Sequence, residues 1–221
     1  RTAPRSFTRP SALCMEIFVL VPDIHDRPTG GNIYNRRIIT ELQKHGAAQA
    51  VPWAPSETSA SALALDDPSV VIVDSLLVRH DEALRILRRE YASAPLVLLA
   101  HYLHCIDPNE QSSDAAERER ALLPLFDGAV TTSPFARQAL VDEGMPEAQV
   151  HAVPPGLDEA YRVPVPERDG RPPPRLLTVA NLLPGKGLLD FVDVLGTLPD
   201  TAWRWTLVGD DTLDPDFAAT L

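Results

Sequence analysis

The chain has 221 residues and a formal net charge of −11, with 44% hydrophobic and 23% charged residues. The composition is that of an ordinary globular protein, and the acidic balance argues against binding of nucleic acid through its phosphate backbone. The longest apolar runs, such as residues 95–100, are far shorter than the ~20 residues of a transmembrane helix. The two cysteines, Cys14 and Cys105, give no disulfide framework, and we expect a cytoplasmic protein.

Short apolar runs alternate with amphipathic segments along most of the chain. The run at 15–22 predicts a strand that is buried on both faces. A helix over 30–45 follows from the spacing of Tyr34, Ile38 and Leu42, which lie on one stripe of a helix. The pattern then predicts, in order, a strand at 48–53, a strand that starts at 69, a helix at 81–91, a strand at 95–100 and a helix near 112–125.

The same alternation continues with a strand predicted at 128–133. Ser133 followed by Pro134 is typical of a helix start, because the serine hydroxyl accepts from first-turn N–H groups and proline at the first position loses no needed donor. Gly144 ends that helix, and a sixth strand is predicted at 149–156. Strands that alternate with helices predict a parallel sheet joined by right-handed crossovers, which is a Rossmann-like domain.

We divide the chain into four parts. Residues 1–14 are polar and basic, and we expect a disordered extension. Residues 15–156 hold the Rossmann-like domain, and the proline-rich residues 157–174 are typical of a linker. Residues 175–221 restart the alternation, with strands at 175–180 and 203–209 around a helix at 187–198. Since two strands and one helix cannot bury both faces of a sheet, we expect this second domain to be incomplete.

The first candidate site is the loop at residues 23–31, between the first predicted strand and helix. In open α/β sheets, ligands bind at the carboxyl ends of the strands. Gly30 and Gly31 would let a ligand approach the backbone N–H groups at the start of the helix. The loop is neither a dinucleotide fingerprint nor a Walker loop, and a tight turn without a ligand is the alternative.

The second candidate has the same strand–loop–helix position in the second domain and runs from Asn181 to Gly187. Lys186 is one of only two lysines in the chain. Its ammonium stands beside a predicted helix N-terminus, where a bound anion such as a diphosphate would offset the unfavourable charge. A solvated loop lysine is the alternative.

The third candidate follows the predicted strand at 95–100. His101 stands at the carboxyl end of this strand, where an imidazole can donate to a substrate hydroxyl or take a proton near neutral pH. His104 and Cys105 are metal-ligand types, but no second cluster supplies the remaining ligands, so we expect no metal. A structural, partly buried histidine is the alternative. The Asp-x-Asp at 214–216 matches a cation motif only by chance spacing.

In their order, these pieces resemble the family-4 retaining glycosyltransferases, which have the GT-B fold of two Rossmann-like domains. The resemblance runs from Met15 to about residue 215. It is carried by the Gly30-Gly31 loop, His101, TTSPFAR (131–137), VPPGLD (153–158), LLTVANLLPGKGLLDFV (176–192) and WRWTLVGD (203–210). The implied fold class is α/β of GT-B type, with a complete N-terminal acceptor-side domain and the start of a C-terminal donor-side domain.

The resemblance implies the transfer of a sugar from a nucleotide-sugar donor to an acceptor, with retention of configuration and without a metal or other cofactor. Lys186 and Gly187 match the family's Lys-Gly pair, whose lysine holds the donor diphosphate. Gly30 and Gly31 match the glycines near the donor phosphate and the reacting centre. His101 matches a histidine near the transferred sugar or the acceptor and is the catalytic candidate.

Some features depart from the family pattern. Asn181, which belongs to the predicted diphosphate-binding set, stands where many members have arginine, and Pro155 replaces a frequent asparagine. The family's glutamate pair, spaced E-x7-E, would lie beyond Leu221. Two alternatives therefore stay open: a non-catalytic remnant that binds an acceptor or partner, and a nucleotide-sugar epimerase of the same fold.

The partners implied are a nucleotide-sugar donor and an unknown acceptor, with no nucleic acid and no transmembrane segment. Some members of the family contact membranes peripherally through basic amphipathic surfaces. The net charge of −11 gives no support for such contact here.

Overall fold

The computed structural model describes residues 15–22, 29–55, 63–164, 174–198 and 203–221. The predicted extension, most of the first candidate loop (23–28) and the middle of the predicted linker (165–173) therefore lie outside the described residues. Of the described residues, those up to Leu157 form one compact unit, which we call unit 1, and those from Asp158 onward form unit 2.

Unit 1 contains six strands and four helices. The strands are β1 (Glu16–Val21), β2 (Ala47–Pro52), β3 (Val70–Asp74), β4 (Leu96–Ala100), β5 (Gly128–Thr131) and β6 (Val150–Ala152). The helices are α1 (Gly30–Leu42), α2 (Asp81–Glu90), α3 (Asp114–Leu122) and α4 (Pro134–Asp142). All strands lie in one sheet in the order β2-β1-β3-β4-β5-β6, and every neighbouring pair is parallel.

Alternate side chains of β1 enter two separate hydrophobic clusters, one on each face of the sheet. Phe18 and Leu20 pack with the apolar sides of α2, α3 and α4. Val19 packs in the other cluster with Ile39 of α1. The predicted burial of this strand on both faces is therefore confirmed, because successive side chains of a strand point to opposite faces.

The order of the strands reverses beside β1. The chain passes from β1 to β2 on one side and then crosses to β3 on the other side of β1. Such a reversal leaves a crevice at the carboxyl ends of the two strands that flank it, which is where open α/β sheets bind ligands. Here those ends are Val21 of β1 and Asp74 of β3.

The buried side of α1 differs from the predicted stripe. Tyr34 is buried as expected, but the other buried residues of the helix are Asn32, Asn35 and Ile39. Two polar side chains thus take core-facing positions in the first half of the helix. An apolar period cannot reveal such residues, because their burial depends on partners from other elements.

The start of α4 agrees with the prediction from sequence. The Ser133 hydroxyl accepts from the backbone N–H of Ala136 at 3.1 Å, and Pro134 is the first helical residue. Gly144 follows the helix with a φ of +99°, a conformation that favours glycine. The end of this helix is therefore confirmed as well.

Unit 2 has two parallel strands, β7 (Arg175–Val179) and β8 (Arg204–Val208), with helices α5 (Leu188–Thr197) and α6 (Pro215–Thr220). In α5, Leu188 and Leu195 are buried, and Phe191 meets Trp205 of β8 edge to face. The prediction missed α6. Asp214, the residue before this helix, caps it, because its carboxylate accepts from the N–H of Phe217 at 3.0 Å.

The strands of unit 2 are half-buried along one face and exposed along the other. Leu177 and Val179 of β7 are 68% and 74% exposed. The described residues of unit 2 therefore leave one sheet face bare, as the element count predicted. Across the described ranges of both units, no helix is long and apolar enough to cross a membrane.

Candidate functional site

A hydrogen-bonded relay ends at His101, the first residue after β4. The Nε2 atom of His101 lies 2.7 Å from Oδ1 of Asn35, and Nδ2 of Asn35 donates to Oδ2 of Asp74 at 2.6 Å. The side chain of His101 is 13% exposed and that of Asp74 is 1% exposed. The relay therefore joins a buried carboxylate, through an amide on α1, to an imidazole that still reaches the surface.

The carboxylate is placed by the end of β3. Asp74 is the last residue of this strand, and its other oxygen accepts from the N–H of Leu76 at 2.8 Å, which starts a short 3-10 turn. A buried carboxylate needs hydrogen-bond donors to offset its loss of hydration. The backbone N–H of Leu76 and the side-chain amide of Asn35 supply one donor each. Loss of the Asn35 side chain would therefore leave a buried charge poorly compensated.

Two more side chains fix the position of His101. The hydroxyl of Ser75 accepts from the backbone N–H groups of His101 and Tyr102, at 3.1 and 3.3 Å. The Tyr34 ring meets the imidazole edge to face with 5.3 Å between centroids, and its hydroxyl donates to the Val153 carbonyl oxygen at 2.7 Å. The imidazole is thus held by its backbone, its ring face and its Nε2 atom.

The relay also decides which nitrogen of His101 carries the proton. The Asn35 amide must turn its nitrogen to the acceptor-only carboxylate of Asp74, so its oxygen faces Nε2, which then carries the hydrogen. Burial lowers the pKa of His101 below its ordinary value, with an opposing effect from the charge of Asp74. The ring is therefore neutral at neutral pH, and Nδ1 is its hydrogen-bond acceptor.

The start of α1 lies directly beside the imidazole. The Thr29 hydroxyl caps the helix by accepting from the N–H of Asn32 at 3.2 Å. A Cβ built on Gly31 would lie 3.6 Å from Cδ2 and Cγ of His101, whereas one built on Gly30 would meet nothing within 4 Å. The structure thus brings together Gly31 and His101, two of the site residues that the sequence singled out.

In unit 2, Lys186 ends a 3-10 turn (Pro184–Lys186) just before α5. Gly187 has a φ of +65°, which favours glycine, and no side chain caps the helix that it starts. Lys186 is exposed, and within the described ranges its ammonium has no carboxylate within 4.0 Å. An uncapped helix start and a lysine therefore lie side by side, as predicted.

The loop that carries Lys186 is braced by the segment after β8. Oδ1 of Asn181 accepts from the N–H of Asp210 at 3.3 Å, and the N–H of Leu182 donates to the Asp210 carbonyl at 3.0 Å. A Cβ on Gly209 would lie 1.8 Å from the Ala180 carbonyl oxygen. Only glycine allows this approach, and Asn181 has a bracing role beside its predicted role in diphosphate binding.

The other two candidate metal ligands near β4 turn away from His101. Nδ1 of His104 lies 2.9 Å from Glu119, whose second oxygen accepts from the N–H of Cys105 at 2.9 Å. Burial and the charge of Glu119 raise the pKa of the Cys105 thiol to about 12, so it is a poor nucleophile. Nowhere in the described ranges do three metal-ligating side chains cluster.

The sequence analysis missed Asn35, Asp74 and Ser75. A carboxylate that closes an apolar strand run, as in VVIVD (70–74), is a usable signal, because the carboxyl end of a parallel strand faces the ligand edge. Asn35 carried no such signal, since only the packing of α1 on the sheet brings its amide between Asp74 and His101.

Comparison with solved structures identifies the fold class of the chain. Over 93% of its length the chain is similar to the apo form of the lipopolysaccharide outer core galactosyltransferase WaaB, with a TM-score of 0.63 at 14% sequence identity. Similarity at this identity shows the fold alone. The predicted fold class, α/β of GT-B type, is confirmed.

A second solved protein gives the same result. The chain is similar over 93% of its length to HepE from Anabaena in complex with UDP and glucose, with a TM-score of 0.62 at 17% identity, and in complex with UDP-glucose, with a TM-score of 0.59 at 16% identity. It spans 64% of the length of these chains and of WaaB. No protein-family model and no curated protein matches the chain.

Proposed function

We propose that the protein is a glycosyltransferase that moves a hexose from a nucleotide-sugar donor to an acceptor, with retention of configuration at the anomeric carbon. The observation that carries the proposal is the imidazole of His101, which is held by Asn35 and Asp74 beside Gly31 at the carboxyl ends of the strands. The similarity of the fold to solved glycosyltransferases and the resemblance of the motifs support it.

His101 is the proposed catalytic residue. With Nε2–H donated to Asn35, the Nδ1 atom accepts a hydrogen bond from a hydroxyl of the transferred sugar. A neutral ring suits this role, because an imidazolium would repel the positive charge that develops on the sugar during transfer. Asn35 and Asp74 act through His101 and are positioning residues.

Cleavage of the donor builds negative charge on the leaving diphosphate. We assign its stabilisation to Lys186, to the N–H groups that follow Gly187, and to Asn181, which all lie in unit 2. The first N–H groups of α1, at Gly30 and Gly31, form a separate anion-binding helix start in unit 1. Because these groups supply positive charge, the proposal requires no metal ion or other cofactor, and it makes unit 1 the acceptor side and unit 2 the donor side.

The test is a thermal-shift panel on the native protein with UDP-, GDP- and ADP-glucose. UDP-glucose comes first because HepE binds it. A ligand at 100 times its dissociation constant adds about 2.7 kcal/mol of stability. We expect one donor to raise the melting temperature, with EDTA leaving the shift intact, and a product assay to yield a glycoside rather than an epimer.

Lys186→Ala is the decisive variant, and Lys44→Ala is its matched control. Lys44 is the other lysine of the chain, and its exposed ammonium pairs with Glu41 at 2.6 Å. We expect Lys186→Ala to reduce turnover by at least about tenfold, because the leaving group loses a charge-assisted contact, while Lys44→Ala behaves as the parent. Equal kinetics in the two variants would remove Lys186 from the mechanism.

A further inference from the structure

A small cavity lies between the segment after β4 and the start of α4. Its volume is about 250 Å³, and its lining includes His101, Tyr102, Asp107, Pro108, Ser133 and Phe135. Ligand pockets usually measure about 300–1,000 Å³. The cavity is therefore too small for a whole nucleotide sugar and has the size of a single ring.

Two aromatic side chains form exposed walls of this cavity. Phe135 is 64% exposed and Tyr102 is 45% exposed, so each offers an apolar ring surface to a ligand. The backbone of Phe135 is ordered in the first turn of α4, which Ser133 caps, and the Tyr102 hydroxyl donates to Asp107 at 3.2 Å. Aromatic side chains have only two side-chain torsions, so they bind a flat partner at little cost in conformational entropy.

The charges around the cavity restrict what it can bind. Among the described residues that line it there is no lysine or arginine, and the one carboxylate is that of Asp107. Burial lowers the pKa of His101, which also lines the cavity, and so disfavours its charged form. A phosphorylated or carboxylated ligand would therefore meet no positive charge here, whereas a neutral ring loses little on leaving water.

We propose that this cavity binds the acceptor, a neutral hydroxyl compound whose flat, apolar ring face stacks on Phe135 and Tyr102 with a hydroxyl near His101. The inference rests on the proposed function. The acceptor oxygen bonds to the anomeric carbon, the bond from that carbon to the diphosphate oxygen breaks, and the hydroxyl proton leaves on the diphosphate. No further reactant is needed.

The test measures ring binding separately from sugar transfer. Saturation-transfer NMR on the native protein compares methyl glucoside and benzyl alcohol, which have a sugar ring and an aryl ring, with glucose 6-phosphate as the anionic probe. We expect at least one neutral probe to bind, and the stronger of the two shows which ring type the acceptor carries. Preferential binding of glucose 6-phosphate would overturn the proposal.

The variants are Phe135→Ala and Phe135→Leu, with Met15→Ala as the control. Met15 is an apolar side chain that is 49% exposed. It precedes β1 and therefore lies at the amino ends of the parallel strands, opposite to the ends that carry His101. Phe135→Leu keeps an apolar group and loses the ring face. We expect both Phe135 variants to weaken the neutral probe at least fivefold and Met15→Ala to leave it unchanged.

The outcomes separate this inference from the proposed function. Nucleotide-sugar thermal shifts are expected to be the same in the Phe135 variants as in the parent. If a donor still binds and Phe135→Ala leaves the neutral probe unaffected, the cavity assignment is overturned while the proposed function stands. If ring binding depends on Phe135 but no donor binds, the cavity is a ring site and the assignment as an acceptor site fails with the proposed function.

Discussion

Each of the two sheets carries a candidate loop between a strand and a helix, but the two sheets differ in how well they are buried. In unit 1 the parallel sheet is buried on both faces, and its functional side chains are fixed by hydrogen bonds to other buried side chains. In unit 2 the two-stranded sheet is only half-buried on one face and exposed on the other, and the Lys186 loop is fixed by backbone contacts and glycine conformations.

This difference teaches how each loop reaches its geometry. The His101 arrangement is preorganised by burial, because a carboxylate without water must have its donors in place. The Lys186 loop keeps its cation in solvent and depends on a close backbone approach at Gly209. Side-chain variants should therefore disturb unit 1 most, and backbone variants should disturb unit 2 most.

The largest expected effect is that of His101→Ala on transfer. Loss of the imidazole should lower turnover by about a hundredfold or more, within the range for a positioned acid–base group. His45→Ala is the control, because His45 is exposed in the turn that follows α1. Steady-state kinetics and circular dichroism on both variants check the result, and near-parental turnover of His101→Ala would rule out its catalytic role.

Asn35→Ala is expected to have the next largest effect. Asp74 loses a hydrogen bond to a buried charge, which costs about 1.5–3 kcal/mol of the free energy of unfolding. Water admitted beside the ring should also move the pKa of His101 back toward its ordinary value, and the acidic limb of the pH–rate profile should move with it. Thr40→Ala, an exposed variant of the same helix, should change neither quantity.

Gly209→Ala tests the brace of unit 2. The added Cβ would overlap the Ala180 carbonyl oxygen, so the loop and strand must part, at a cost of about 1–3 kcal/mol. Gly196→Ala is the matched control, since its Cβ meets nothing within 4 Å and alanine favours the helix by about 0.5–1 kcal/mol. Amide hydrogen exchange in β7 and β8 measures the local stability of both variants. Equal protection in the two variants would contradict the proposed bracing of the loop by the residues after β8.

The smallest expected effect is a pH dependence of stability in unit 1. Because burial lowers the pKa of His101, the unfolded chain binds more protons than the folded chain at mildly acid pH. The contribution is fully present above the unfolded value of about 6.5 and is lost as the pH falls through the lower folded value. In His101→Gln this loss should disappear. The difference in the free energy of unfolding between the two proteins should therefore change with pH below about 6.5 and be constant at higher pH.

Much of the fold was predictable because each element has a local cause. The buried strand runs, the Ser133-Pro134 helix start and the Gly144 helix end were confirmed. The prediction missed α6, whose six residues are too few to show a helical period. It also assigned an apolar stripe to α1 where two asparagines are buried.

The candidate site was predictable only in part. Gly31 and His101 could be selected because both follow apolar strands, and Lys186 because it is scarce and precedes a helix. Their role in binding a donor stays a prediction. Asn35 and Ser75 could not be selected, since asparagine and serine are common in positions that have no function at all.

By itself, the sequence determined the alternation of strands and helices and the loops that end at the ligand edge, because periodicity and capping act over a few neighbouring residues. Only the tertiary structure decided that the strand order reverses beside β1, and that an amide on α1 joins Asp74 to His101. Asn35 is 39 residues from Asp74 and 66 residues from His101 in the chain. No local preference encodes contacts that exist only when α1 packs on the sheet.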